Sequence, residues 1–296
     1  MNVSVVMPCR NNAKVIAGQL AALSHQKWHG TWEVIVADNG SNDATIEIVE
    51  EYRKRLPHLR LIDASARRGA AHARNAGVTA ARGEAILFCD ADDEVGSGWL
   101  AAMADGLAEH HFLAARLDIE RLNPPEIVGA VKNPQGHGLQ RVDYPPHLWH
   151  ASGASLGVKR VVHERIGGFD ESLLYLEDTD YCFRVQLTGI ELWFLAAAAV
   201  HYRFRPNPQA LFHQARHWGQ YNVLMYKRYR ESTRLDHPWR RHLLRWHTLL
   251  RRTPCLLDKE QRLAWIKSLG TQIGVLQGSI KYGVPPVAGW LLCMLE

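Results

Sequence analysis

"WEVIVADNGSNDATIEIVEEYRKRLPHLRLIDA", residues 32–64, reads as a strand, a polar turn, a helix and a second strand. The first run, Trp32 to Asp38, is short, apolar and rich in β-branched residues, and a turn containing Gly40 stops it. From Ala44 to Leu56 the apolar residues recur at helical spacing, introduced by Ser41, Asn42 and Asp43, side chains of the kind that cap helix N-termini. Leu59 to Ala64 then supplies the next strand. Strand, crossover helix, strand is a βαβ unit, which commits its two strands to lie parallel.

Working outward, the same alternation recurs about every 25 to 30 residues, as expected of successive βαβ units. Val3 to Pro8 and Glu84 to Asp90 read as strands, and Ala13 to His25 and Ala70 to Ala81 as helices. The expected fold is therefore α/β, a mostly parallel, Rossmann-like sheet flanked by helices. Ligands of such sheets bind beyond the carboxyl ends of the strands. The polar clusters "PCRNN" (8–12), "DNGSND" (38–43) and "DADDE" (90–94) all follow strand ends. Farther on, Trp99 to His110 reads as a helix, Phe112 to Leu117 as a strand, and 123–144, rich in Gly, Pro and Asn, as a mobile loop. A helix is expected to start near Glu177, a strand to run through "ELWFLAAAAVHYR", and residues 207–252 to be helical. The expected domains are 1–205, carrying the sheet, and 206–296, a helical basic extension.

At 296 residues, with 47% hydrophobic and 22% charged residues, the composition is globular. The basic excess, 35 Lys and Arg against 30 Asp and Glu, gathers between Arg203 and Arg252, where Glu231 and Asp236 are the acids. Such a segment suits phosphates, a nucleic acid or an anionic membrane surface. Cys9, Cys89, Cys182, Cys255 and Cys293 form no CxxC pair, which argues against a disulfide framework or a zinc site and fits a reducing cytoplasm. A strand beginning at Val3 leaves no room for a secretion signal. The apolar stretch Val284 to Leu295 falls short of the roughly 20 residues that cross a bilayer.

"FCDADDE" (88–94) concentrates charge at a strand end, where like-charged carboxylates repel unless a cation or donors compensate them. In an extended segment Asp90 and Asp92 share a face, suited to a divalent ion together with ribose or phosphate oxygens, while Asp93 points elsewhere, free to cap the next helix. Asp38 reads either as a ligand acceptor or as a helix cap. Arg67, Arg68 and Arg74 flank Gly69 near a helix start, where arginine pairs with phosphate, stacks on a base or stays solvated. "EDTDYCFR" (177–184) is a second acidic cluster, either capping its helix or offering a base. His201, closing an apolar strand, reads as a packed histidine or a metal ligand.

Taken together, "VSVVMPCRNN", "VIVADNGSNDAT", "RGAAHARNAGVTAARGEAILFCDADDE", "GASLGVKRVVHERIGGFDESL" and "EDTDYCFRVQLTG" resemble, in order, the motifs of glycosyltransferase family 2, inverting enzymes of the GT-A fold. The resemblance covers roughly residues 1–205. It implies that Pro8 and Arg10 lie beside the nucleotide, that Asp38 contacts the base and that Arg68 approaches the base or phosphates. It implies further that Asp90 and Ala91 face the donor, Asp90 at the ribose, and that Asp92 binds a Mn²⁺ or Mg²⁺ ion bridging the diphosphate, with His201 as a further ligand. Asp178 is then the general base for the acceptor hydroxyl and Glu177 its support. Two departures stand out. Arg67 occupies a place where family members often carry Asn, and "QARHW" (214–218) has His217 where processive synthases have Arg in QxxRW, which favours transfer of a single sugar.

The expected function is transfer from a nucleotide-diphosphate sugar, a UDP-sugar first among them, to a hydroxyl acceptor whose identity the sequence does not give. The acceptor is expected at 123–153 and the basic C-terminal third. A nucleotidyltransferase is the rival enzyme, though "MPCRNNAKV" lacks its glycine-rich loop. A non-catalytic nucleotide-sugar or nucleic-acid binder is the other rival, resting on Trp218, Tyr221, Tyr226, Tyr229 and Trp239, which at helical spacing more often form core. The expected location is the cytoplasm, with peripheral contact to an anionic membrane in view. Homo-oligomer formation stays open.

Overall fold

The computed structural model describes the chain except residues 57, 132, 206, 231–237 and 287–296, and omits the side chains of 238–241, 255, 259 and 260. The side chains of Trp239 and Cys255 thus lie outside the described part of the chain, as do Cys293 and most of the Val284 to Leu295 segment. Two compact units result. The first comprises residues 1–122, 135–140 and 150–203, and the second 123–134, 141–149 and 204–296.

The first unit is an eight-stranded mixed sheet in the order β3-β2-β1-β4-β9-β6-β10-β5. Its strands are β1 (Val3–Cys9), β2 (Trp32–Asp38), β3 (Leu59–Asp63), β4 (Ala85–Phe88), β5 (Glu94–Val95), β6 (Phe112–Asp118), β9 (Leu156–Lys159) and β10 (Trp193–His201). β1 to β4 are mutually parallel, as the βαβ reading requires, and β6 is parallel to β10. β9 is inserted antiparallel between β4 and β6, and β5 pairs antiparallel with β10.

Both faces of the sheet are buried, so its central strands read as continuous apolar runs. Val3, Val5, Met7 and Leu87 point to one core with Leu20 and Leu23 of α1 (Ile16–Ser24) and Trp99, Met103 and Leu107 of α4 (Trp99–Glu109). Val6, Ile86 and Phe88 point to the other with Val78 of α3 (Ala70–Ala80), Val162 of α6 (Arg160–Arg165) and Tyr181 of α7 (Glu177–Leu187). Each such side chain contributes roughly 1.5–3 kcal/mol by leaving water. α2 (Thr45–Tyr52) completes the helices around β1 to β4, its first residue bonded to Asp43, whose Oδ1 accepts the Thr45 amide at 3.1 Å.

The second unit contains the long helices α8 (Pro208–Tyr229) and α10 (Lys259–Tyr282), with α9 (Pro238–Arg251) between them in sequence. α8 and α10 meet backbone to backbone. A Cβ on Gly270 would lie 2.6 Å from the Phe212 carbonyl, one on Gly278 2.8 Å from that of Gln220, and one on Gly274 would collide with that of Arg216. The unit also includes α5 (Pro125–Ala130), so the 123–144 segment is not a plain loop: Pro125 opens a short helix, its fixed φ suiting a first helical turn. The short strands β7 (Gln140–Arg141) and β8 (Trp149–His150) form a separate ribbon. Among the described residues no helix is long and apolar enough to cross a membrane.

Candidate active site

The loops leaving β1, β2 and β3 are tied together at the carboxyl edge. Asn39 carries most of this linkage: its amide donates to the carbonyls of Ala64 and Arg67 and accepts from Gly69 N at 2.9 Å. The Asn11 amide donates to the Ser41 hydroxyl at 3.0 Å, which joins the first loop to the second. Asp38 is 6% exposed and accepts from the amides of Gly40 (3.2 Å) and Ser41 (3.1 Å) and from the Ser41 hydroxyl. Its carboxylate therefore stabilises its own turn. Pro8 is half-buried, and Arg10 and Arg68 are exposed along the same edge.

The acidic segment after β4 is a turn, not an extended strand, and this corrects the alternation argument. The Asp93 amide donates back to the Asp90 carbonyl at 3.4 Å, so the chain folds on itself, and carboxylate oxygens of Asp90, Asp92 and Asp93 all come within 4.8 Å of one another. Asp93 does not cap α4, whose N-cap is Gly98. It is 1% exposed; its Oδ1 accepts the Arg203 amide at 2.8 Å, and its Oδ2 is buried without a partner. Burial, with the charges of Asp92 and Asp90, pushes its carboxyl far above the usual range. Gln19, fully buried on α1, clamps the backbone on both sides of the turn, donating to the Asp90 carbonyl and accepting from Val95 N, each at 2.9 Å. Ala91 packs into the core between the two acids.

Arg74 connects this cluster to the second one. Its guanidinium is buried, with Nη2 2.7 Å from Asp90 Oδ1, Nη1 2.9 Å from Glu177 Oε1 and the Phe169 ring centroid 5.5 Å from its central carbon. Sequence reasoning placed Arg74 toward a phosphate or solvent; the structure buries it between two carboxylates. The signal was present: Ala71, Arg74, Gly77 and Val78 form the buried stripe of α3, and an arginine on such a stripe requires an acid.

Glu177 and Asp178 open α7, where the helix N-terminus favours negative charge. Burial first and the adjacent Asp178 charge second push the Glu177 carboxyl up to about 7, against the pull of Arg74. Asp178 is also raised by burial, while amide donors hold it down: Gly153 N reaches Oδ2 at 3.0 Å and Thr179 N reaches Oδ1 at 2.8 Å. Gly153 is needed because a Cβ there would lie 2.8 Å from Arg74 Nη2. Its loop is fixed by Gln135, fully buried, whose Nε2 donates to Ala115 O and Ser155 Oγ (both 2.7 Å) and whose Oε1 accepts Ser152 N at 2.9 Å. The farther acid, Asp180, instead pairs with Arg184 at 2.6 Å, a structural contact within the helix.

His201 is not brought into the carboxylate cluster. The strand register sets it opposite Asp118 and Glu94, and its ring lies 3.4 Å from Asp118 Oδ2 and 3.5 Å from Arg121 Nη1. Arg203, two residues on, is what reaches the acidic turn, its Nε donating to the Asp92 carbonyl at 2.9 Å. Three converging carboxylates, one with a buried partnerless oxygen, form an all-oxygen donor set that fits a hard divalent cation such as Mg²⁺ or Mn²⁺.

Residues 4–167, more than half of the chain, match the family model described as glycosyl transferase family 2. The chain belongs to glycosyltransferase family 2. Among its curated relatives is the poly(ribitol-phosphate) beta-N-acetylglucosaminyltransferase TarS of Staphylococcus aureus, 36% identical over 113 residues, or 38% of this chain. The match spans 20% of that relative's length. Among solved structures, the mannosyltransferase PcManGT from Pyrobaculum calidifontis, in complex with GDP-Man and Mn²⁺, aligns with a TM-score of 0.66 at 20% identity, covering 93% of this chain and 86% of that one. S. aureus TarS 1–349 in complex with UDP aligns at 0.54 and 19% identity, covering 96% and 92%. These likenesses establish the GT-A fold, a mixed sheet with its helical C-terminal region.

Proposed function

We propose that the chain is an inverting glycosyltransferase that moves one sugar from a nucleotide-diphosphate sugar, a UDP-sugar in the first instance, to an acceptor hydroxyl. The observation that carries this reading is the Arg74 bridge. It joins a carboxylate cluster at the sheet's ligand edge to an acid pair at a helix N-terminus, so a donor site and a base are held in one rigid array.

In this reading Pro8, Arg10, Asp38 and Arg68 flank the nucleotide and Asp90 lines the donor side, while Ala91, packed into the core, anchors the turn between the acids rather than meeting the donor. Asp92, with Asp93 beside it, would hold the Mn²⁺ or Mg²⁺ ion, which when bound neutralises charge on the departing diphosphate. Asp178 takes the proton of the acceptor hydroxyl as that oxygen bonds to the anomeric carbon and the bond to the diphosphate oxygen breaks on the opposite face. The Gly153 and Thr179 amides keep the Asp178 carboxylate aligned and oppose the upward push that burial gives it. Glu177, tethered by Arg74, supports that position and prevents the pair from rotating outward. The mannosyltransferase and TarS complexes, holding GDP-Man with Mn²⁺ and UDP, support a nucleotide-sugar donor without fixing the base.

The test is turnover of UDP-, GDP-, CDP- and dTDP-sugars with Mn²⁺, for wild type, Asp92→Asn and Asp178→Asn. Donor consumption by the wild type, with each variant reduced at least about 100-fold as for loss of a general base, supports the mechanism. Wild-type rates in both variants refute it.

A further inference from the structure

α9 and the turn after it present an exposed leucine-rich, arginine-rich surface that the catalytic reading does not use. Leu243 is 56% exposed, Leu244 64%, Leu250 62% and Leu257 94%. The opposite face of α9 is anchored: His242 and Leu249 are buried, the Trp246 indole donates to His242 Nε2 at 2.9 Å, and the Trp265 indole donates to the Leu249 carbonyl at 2.9 Å. Arg245, on that anchored side, lies 3.9 Å from Asp143. The leucines are thus held outward by a helix whose other face is occupied, not left out by fraying.

Helical spacing groups them. Leu243, Leu244, His247, Leu250 and Arg251 follow i, i+1, i+4, i+7, i+8, which is one face of an α-helix. His247, Arg251 and Arg252 are exposed beside the leucines. In sequence, residues 237–257 contain Arg240, Arg241, Arg245, Arg251 and Arg252 and no acid; Arg245 faces Asp143 on the anchored side, and Asp258, just beyond the window, is engaged as the helix cap of α10. A protein partner of ordinary composition gives no reason for so one-sided a charge around exposed leucines. A bilayer bearing anionic headgroups satisfies both features at once, apolar side chains entering the acyl boundary and guanidinium groups meeting the headgroup phosphates.

We propose that α9, with Leu243, Leu244 and Leu250 as the inserting side chains, docks this chain on an anionic lipid surface. The helix lies in the interface; at 14 residues it is too short to span, since spanning takes about 20. This inference is independent of the sugar-transfer reading, and its readout is binding, not turnover.

The test is sedimentation of the full chain with vesicles of phosphatidylcholine alone or mixed with phosphatidylglycerol, for wild type, Leu243→Glu/Leu250→Glu, Arg251→Glu/Arg252→Glu and the control Leu187→Glu. Leu187 is 60% exposed on α7, away from α9 in sequence, so it reports a nonspecific effect of one more charge. Expected is binding to the phosphatidylglycerol vesicles at least about tenfold tighter than to phosphatidylcholine, weakening with salt as screening predicts. Both α9 variants lose at least about tenfold, with melting points retained, and Leu187→Glu binds as wild type. No binding by the wild type, or α9 variants that bind equally well, overturns the proposal. So does an α9 variant that only converts a self-associated species to monomer, which would assign the surface to a second copy of the chain.

Discussion

Replacing Arg74 with Met is the substitution whose consequence follows most directly from the geometry. Methionine fills much of the arginine stem's volume but removes the cation that sits 2.7 Å from Asp90 and 2.9 Å from Glu177. A mostly buried Glu177 and a partly exposed Asp90 then lose their shared cation; a fully buried pair broken this way costs about 3–5 kcal/mol, and solvent at Asp90 puts this one near the lower end, about 3 kcal/mol. Part of that cost depends on pH. Glu177 already holds its proton up to about 7 in the native state, against an ordinary value of 4.5, and loss of Arg74 moves it higher. At about pH 5 the variant's Glu177 is neutral and the penalty falls to roughly half; at about pH 8 ionisation is demanded and the full penalty applies. Thermal unfolding without metal, followed by tryptophan fluorescence at the two pH values, should show a melting point lowered by about 10 °C at the higher pH and by clearly less at the lower. A variant within about 1 kcal/mol of wild type at about pH 8, or one equally destabilised at both pH values, would refute the claim that Arg74 acts by neutralising these acids.

Three further outcomes follow from the same cluster. Gly153→Ala, whose Cβ would lie 2.8 Å from Arg74 Nη2, should cost about 1–3 kcal/mol in melting experiments and lower kcat by disturbing the amide that aligns Asp178. Glu177→Gln should flatten the pH dependence of stability. The raised Glu177 pKa means the native chain binds the extra proton between about 4.5 and about 7, so stability is lost as pH rises through that window, by up to about 3 kcal/mol in the wild type. Asp93→Asn should raise the melting point of the metal-free protein at about pH 8, because a buried carboxylate held far above its usual range penalises the native state once ionised. The same variant should lose stabilisation by Mn²⁺, checked by melting with and without the ion.

The left half of the sheet was legible because its signals are local. In β1 to β4 and α1 to α4, period and turn chemistry agree within a few residues, and the strand limits moved by little: Leu59 to Ala64 became Leu59–Asp63, and Ala44 to Leu56 shortened to Thr45–Tyr52. β9 was not read as a strand, since four residues lying between partners 70–74 and 42–46 positions away in sequence carry almost no periodicity of their own. α10 falls inside the expected helical extension, 206–296, but its own limits were not read, for a different reason. Gly270, Gly274 and Gly278 lower helix propensity locally, yet they are what allows α10 to touch the backbone of α8, so packing overrode propensity. In the site, the acids themselves were visible as motifs, but their relations were not. That Asp93 folds back toward Asp90, that His201 faces Asp118 and that Gly153 donates to Asp178 are long-range or turn-level facts which strand alternation cannot supply.

In the proposed function Asp92 and Asp93 hold a divalent ion that receives the diphosphate of a nucleotide sugar, with Asp90 on the donor side. The most direct measurement is the melting point of wild type and Asp92→Asn against UDP-, GDP-, CDP- and dTDP-sugars, each with and without Mn²⁺. A donor present at 100 times its Kd stabilises by about 2.7 kcal/mol, well within what melting resolves. A shift is expected in the wild type with Mn²⁺ and one class of nucleotide sugar together, little with either alone, and none in Asp92→Asn. No shift with any donor in the presence of Mn²⁺, or an equal shift in Asp92→Asn, would contradict it.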